Sequence, residues 1–92
     1  MKIFWSVVAV EDREAVFDYL AERNPEAAIR IDTEIERAVE LLAEHPLAGR
    51  PGRVAGTREL VLSKAPYVIV YFFVVDNTIN VLRVLHTARQ WP

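Results

Sequence analysis

The run from Tyr67 to Val75, YVIVYFFVV, carries no polar group other than two tyrosine hydroxyls. Nine residues without Gly, Pro or charge, rich in β-branched and aromatic types, read as a strand. Side chains alternate across a strand, so Tyr67, Ile69, Tyr71, Phe73 and Val75 share one face and Val68, Val70, Phe72 and Val74 the other. Both faces are apolar. A sheet built on this strand needs cover on two sides, and a chain of 92 residues has few elements to supply it.

Two helices precede the strand. Ser6 is placed as an N-cap after a short strand, Ile3 to Trp5. From there to about Arg23, Ala9, Val16 and Leu20 recur at helical spacing, with the aliphatic stem of Arg13 completing the stripe. Glu11, Asp12, Glu14, Asp18 and Glu22 fall on the wet side. Asn24-Pro25 then restarts the helix: Asn caps, Pro fits the first turn, and Glu26 meets the positive end of the dipole. Ala28, Ile31, Ile35, Ala38, Val39 and Leu42 follow at three-and-four spacing, the strongest periodicity in the chain, until His45-Pro46 stops it. With almost no linker between them, the helices are expected to form an antiparallel hairpin. Such a hairpin covers one face of a small sheet, which leaves the other for a partner, a ligand groove, or the chain's own loop and tail.

Residues 46–57, PLAGRPGRVAGT, hold all three glycines and two of five prolines, and read as a loop exposing Arg50 and Arg53. Strands are expected at Arg58 to Leu62, Tyr67 to Val75 and Ile79 to Leu85, with Asp76-Asn77-Thr78 turning between the last two. The fold class is therefore α+β: an N-terminal strand, an antiparallel helical hairpin, then a three-stranded antiparallel sheet, in one domain spanning 1–92.

Charge divides along the same line. Residues 1–46 carry five Lys/Arg against eleven Asp/Glu, a net of −6, whereas residues 47–92 carry six against two, a net of +4. Strands are not ordinarily rich in arginine, so the basic half points to a functional surface. Cysteine is absent, which removes disulfide and thiolate chemistry and fits a reducing compartment. The opening apolar stretch meets acids by Glu11, too soon for a signal peptide or a membrane span. A cytoplasmic protein without membrane contact is the expectation.

His86 lies at the end of the last strand between Arg83 and Arg89. With no second ligand at suitable spacing it is a poor metal residue, and neither a metal nor a cofactor is expected. It reads either as a histidine bonding backbone at a strand end or as a proton-transfer group. Arg58 and Arg83 suit phosphate or carboxylate, or equally an ion pair with the acidic helices. Trp91 reads as a core plug fastening the tail, or as a stacking residue beside Arg89. Glycine-rich phosphate loops, GxSxG, HExxH and CxxC motifs are all missing.

Four strings carry the reading further: the opening strand with Trp5, AERNPEAA (21–28), GRPGRVAGTREL (49–60) with PYVIVY (66–71), and LRVLHTARQWP (82–92). In this order they resemble the ParE branch of the RelE/ParE superfamily, the toxins of bacterial type II toxin–antitoxin modules. The resemblance spans nearly the whole chain, and the closing LHTARQWP is its most telling part. It implies a cognate, ParD-like antitoxin, a homodimer or a toxin–antitoxin heterotetramer, and DNA gyrase as the poisoned target. No direct sequence-specific nucleic-acid binding is expected, since a chain with a net charge of −2 is a poor free RNA binder. Arg58, Arg83, His86, Arg89, Trp91 and Tyr67 then mark the contact surface, with Arg50 and Arg53 as a second basic site. The RelE branch cuts mRNA in the ribosome, and here that alternative would rest on His86, Arg83 and Arg58 as catalytic residues. The C-terminal tyrosine and lysine-rich loop of many RelE-like nucleases have no counterpart, so gyrase poisoning without catalysis is the favoured reading. A non-toxic interaction module on the same fold is the third.

Overall fold

The computed structural model describes residues 1–74, 77–89 and 91–92. Strand β1 (Lys2–Trp5) leads into α1 (Val7–Arg23) and α2 (Pro25–Glu44), followed by β2 (Arg50–Pro51), β3 (Arg58–Val61), β4 (Tyr67–Val74) and β5 (Thr78–His86). The caps sit where the residue types place them. Ser6 Oγ accepts from Ala9 N at 3.0 Å, and Asn24 Oδ1 accepts from Ala27 N at 3.1 Å, with Pro25 opening α2. Each cap satisfies one of the amide groups that a helix start leaves without an internal partner. His45 closes α2, its N–H bonding Leu41 O at 2.8 Å. Of the expected turn, Asp76 lies outside the described residues, Asn77 has φ 70°, and Thr78 already belongs to β5.

The sheet has five strands in the order β1-β5-β4-β3-β2, where three were expected. The antiparallel core β3-β4-β5 is as anticipated. The two additions are β1, which runs parallel to β5 with Ile3 opposite Ile79, and the two-residue β2, which pairs Arg50 with Glu59. A four-residue strand carries too little pattern to announce its partner. The crossover through the helical hairpin is what makes a parallel pairing available to it.

The helix-facing side of the sheet buries Tyr67, Ile69, Tyr71, Ile79, Val81 and Val84 against Ala9, Ile31, Ile35, Val39 and Leu42. Val16, Leu20 and Ala38 are only partly buried around this core. Arg13 does more than lend its stem. Its guanidinium pairs with Asp32 Oδ1 at 2.7 Å and Glu36 Oε2 at 2.7 Å, and lies 5.1 Å from the Trp5 ring, so it ties α1 to both α2 and β1.

On the opposite face the chain's own tail supplies part of the cover. Val68, Val70 and Leu85 are buried there by the chain itself, with Leu82 and Trp91 packed against them. The C-terminal tail folds back and plugs this end of the sheet. Toward β1 the cover stops: Phe72 is half-buried, its row continues through Asn80 to Phe4, and Phe4 is 60% exposed.

Candidate contact surface around the C-terminal tail

β1 ends opposite Val81, and from there α1 takes over the edge of β5. Ser6 N donates to Val81 O at 3.0 Å, and Ser6 Oγ donates to Leu82 O at 3.0 Å. One and a half turns later the Asp12 carboxylate accepts from Val84 N at 3.0 Å, capping an edge amide with no neighbouring strand. The expectation that Asp12 faces water is overturned, since its side chain is only 12% exposed. Helical periodicity orients α1 relative to α2, and gives no sign of a strand edge on its other flank.

A register shift in the β4–β5 pairing lies beside Arg83: Val70 opposes Arg83, Tyr71 opposes Val81, and Leu82 is the extra residue. The Arg83 side chain reaches around the edge to Asp12 in a fork, Nε to Oδ2 at 2.8 Å and Nη2 to Oδ1 at 3.0 Å. These bonds to Asp12 raise the guanidinium pKa above its ordinary value, against the opposing effect of burial. The same guanidinium lies 5.9 Å from the Trp91 ring centroid, and Arg53 Nη1 approaches Trp91 O at 3.5 Å. Arg83, Trp91 and Arg53 thus gather on the second face of the sheet.

The loop carrying Arg50 and Arg53 is held by two buried residues whose part was not foreseen. Glu59 is 3% exposed; its Oε2 accepts from Arg53 N at 3.0 Å and its Oε1 from Arg50 Nη2 at 3.5 Å. Tyr71, fully buried, donates its hydroxyl proton to Pro46 O at 2.7 Å and accepts from Gly49 N at 2.9 Å. Gly49 is required by this fit, because a Cβ there would stand 2.7 Å from the Tyr71 ring and hydroxyl. Arg50 and Arg53 are exposed on a rigidly braced loop, as their position in a glycine-rich segment suggested. A signal was available: a loop with three glycines must place its polar backbone groups somewhere.

Arg58 stands apart. Its Nε donates to Gly49 O at 2.9 Å and its Nη2 approaches Leu47 O at 3.5 Å, so it braces the loop from below. Register puts it in the row of Tyr71 and Val81, whereas Arg83 stands in the neighbouring row of Glu59 and Val70, and adjacent rows point to opposite faces. Arg58 and Arg83 do not converge. His86 is elsewhere again. It opposes Tyr67, whose ring meets it edge-on at 5.4 Å, and its Nδ1 accepts from Ala88 N at 3.1 Å. Burial, with a smaller effect of Tyr19, raises the Tyr67 phenol above its ordinary value. Tyr67, His86 and Arg89 edge an open groove of about 500 Å³, with Tyr19 and Leu20 of α1 on its far wall. Among the described residues no group of three or more His, Asp or Glu is placed to hold a metal, and no helix is long and apolar enough to cross a membrane.

The arrangement is a basic, partly apolar relief, and a family model matches the chain that carries it. The model for the ParE toxin of the parDE type II toxin–antitoxin system matches residues 3–91. The chain belongs to the ParE toxin family. It is similar to Y4kP of Sinorhizobium fredii, 40% identical over 99% of this chain and 93% of that protein. It is also similar to the toxin RelE2 of Caulobacter vibrioides, 38% identical over 96% and 97% of the two chains. Among solved structures it resembles the chromosomal ParDE toxin–antitoxin system from P. aeruginosa, with a TM-score of 0.82 and 28% identity over 94% of this chain and 95% of that one. The protein is the toxin component of a ParDE-like type II module, and a cognate antitoxin is its counterpart.

Proposed function

We propose that this ParE toxin poisons DNA gyrase through a contact surface centred on Trp91, Arg83 and Arg53, with Arg50, Arg89, His86 and Tyr67 at its margins, and that it is not a nuclease. The observation that carries this reading is the dispersal of the three residues an mRNA endonuclease would need. Such an enzyme has to activate the 2′-hydroxyl, protonate the leaving oxygen and stabilise a phosphorane at one point. Here Arg83 is forked onto Asp12, Arg58 is bonded to loop carbonyls from the opposite face, and His86 holds a backbone amide beside Tyr67. A contact surface needs none of these to converge. It needs a rigid relief of aromatic and arginine side chains, the types that dominate binding energy at interfaces.

A ParD-like antitoxin, on the same reading, silences the toxin by covering this relief. Its acidic residues would meet Arg50, Arg53 and Arg89, and an apolar segment would occupy the groove beside α1 or the open end of the sheet at Phe4 and Phe72.

His86→Ala separates the two mechanisms. Loss of a marginal contact should weaken growth arrest on expression by about tenfold or less, in line with a rim residue worth roughly 1 kcal/mol. A general acid or base removed from an enzyme typically lowers its rate by roughly 100- to 10,000-fold. Complete loss of toxicity in a folded His86→Ala protein would count against the gyrase reading.

A further inference from the structure

We propose that Asp12, on α1, is a positioning residue for the C-terminal tail, holding Trp91 on the sheet through Arg83; this rests on the reading of the tail as part of the contact surface. No ordinary surface carboxylate is placed like this one. Asp12 accepts three hydrogen bonds, from Arg83 Nε, from Arg83 Nη2 and from Val84 N, and both of its oxygens are engaged by residues of β5. The fork fixes the plane of the guanidinium, and a fixed plane can offer one face to an aromatic ring. The ring it meets is Trp91, at 5.9 Å.

The tail has little else of this kind. Among the described residues the buried Trp91 indole Nε1 has no hydrogen-bond partner, and the approach of Arg53 to Trp91 O, at 3.5 Å, is at the limit of a bond. The remaining hold is apolar packing on Val68, Val70 and Leu85, which favours burial of the indole without fixing its orientation. Orientation comes from Arg83, and Arg83 is oriented by Asp12. A residue 79 positions away in sequence therefore sets how Trp91 is presented. A lysine in place of Arg83 would keep the charge opposite Asp12 but lose the fork and the flat face together.

The test uses the full chain with Trp5→Phe, so that Trp91 is the single indole. Asp12→Asn and Asp12→Glu are compared by circular dichroism, acrylamide quenching of Trp91 and amide exchange along the chain. Asp12→Asn is expected to stay folded, to leave Trp91 more open to quencher, and to lower amide protection over 87–89 about tenfold more than in α2 or β4. Asp12→Glu, which can still fork onto Arg83, should recover part of that protection. If Asp12→Asn does not fold, Arg83→Lys takes its place, with the same local loosening expected. Unchanged tail protection and quenching in a folded variant would overturn the proposal. So would protection lost to the same degree everywhere, since Asp12 would then be a residue of the fold alone. Poisoning of gyrase is read separately: a loosened tail with full poisoning leaves the positioning role intact and removes the tail from the contact surface.

Discussion

Trp91→Ala should weaken the toxin by roughly 30-fold or more in the concentration needed to poison gyrase, the effect of losing an interface anchor worth about 2 kcal/mol. The side chain combines the features of such an anchor. It is a large aromatic group only partly buried by its own chain, with Arg83 beside the ring and Arg53 at its backbone carbonyl. The variant should also lose stability, by about 1–3 kcal/mol, because Val68, Val70 and Leu85 lose part of their cover. Trp91→Phe keeps most of the apolar area and a face for Arg83, so it should retain stability and much of the poisoning. A denaturant titration of both variants, alongside the poisoning assay, separates the two effects. Equal poisoning by Trp91→Ala and wild type would move the contact surface to the loop with Arg50 and Arg53.

Tyr71→Phe is expected to cost about 2–4 kcal/mol of stability. The phenol ring stays, and its burial with it. What is lost is one oxygen that serves Pro46 O as donor and Gly49 N as acceptor. The buried Gly49 amide then lacks a partner, at a cost of about 1–3 kcal/mol, and the part-buried Pro46 carbonyl loses its donor, at about 1 kcal/mol more. The loop carrying Arg50 and Arg53 should loosen first, since Gly49 is the point where Tyr71 and Arg58 both grip it. Thermal unfolding reads the loss as a drop of about 8 °C or more for a domain of this size. A change of a degree or two would show that the hydroxyl is replaceable and that the loop is held mainly by Glu59.

What the sequence could disclose follows from the range of each interaction. The helices were legible because their signals are local: Ser6 and Asn24-Pro25 act within one turn, and the stripe from Ala28 to Leu42 repeats along one element. The β3-β4-β5 meander was legible for the same reason, its strands being consecutive. The parallel place of β1 was not, because pairing Ile3 with Ile79 joins distant parts of the chain. The family itself could be read from four short strings, yet the arrangement of its candidate surface could not. Whether Arg58 and Arg83 share a face depends on strand register, which the sequence leaves open, and that register sets them on opposite faces. The roles of Asp12, Glu59 and Tyr71 were not legible for a shared reason. Each is an ordinary residue by type and spacing, and becomes special only through a group that another element brings to it. Trp91 was the closest decision, since a plug and an exposed stacking residue have the same sequence. The buried cluster beneath it shows that it plugs the sheet.

The most direct test of the account is the purified toxin with gyrase and supercoiled plasmid, set beside the same toxin with translating ribosomes. Gyrase poisoning should give linear plasmid covalently bound to gyrase, rising with toxin and suppressed by the cognate antitoxin, with intact mRNA on the ribosomes. Intact plasmid together with mRNA cut in the ribosomal A site, the cuts vanishing in His86→Ala, would contradict it.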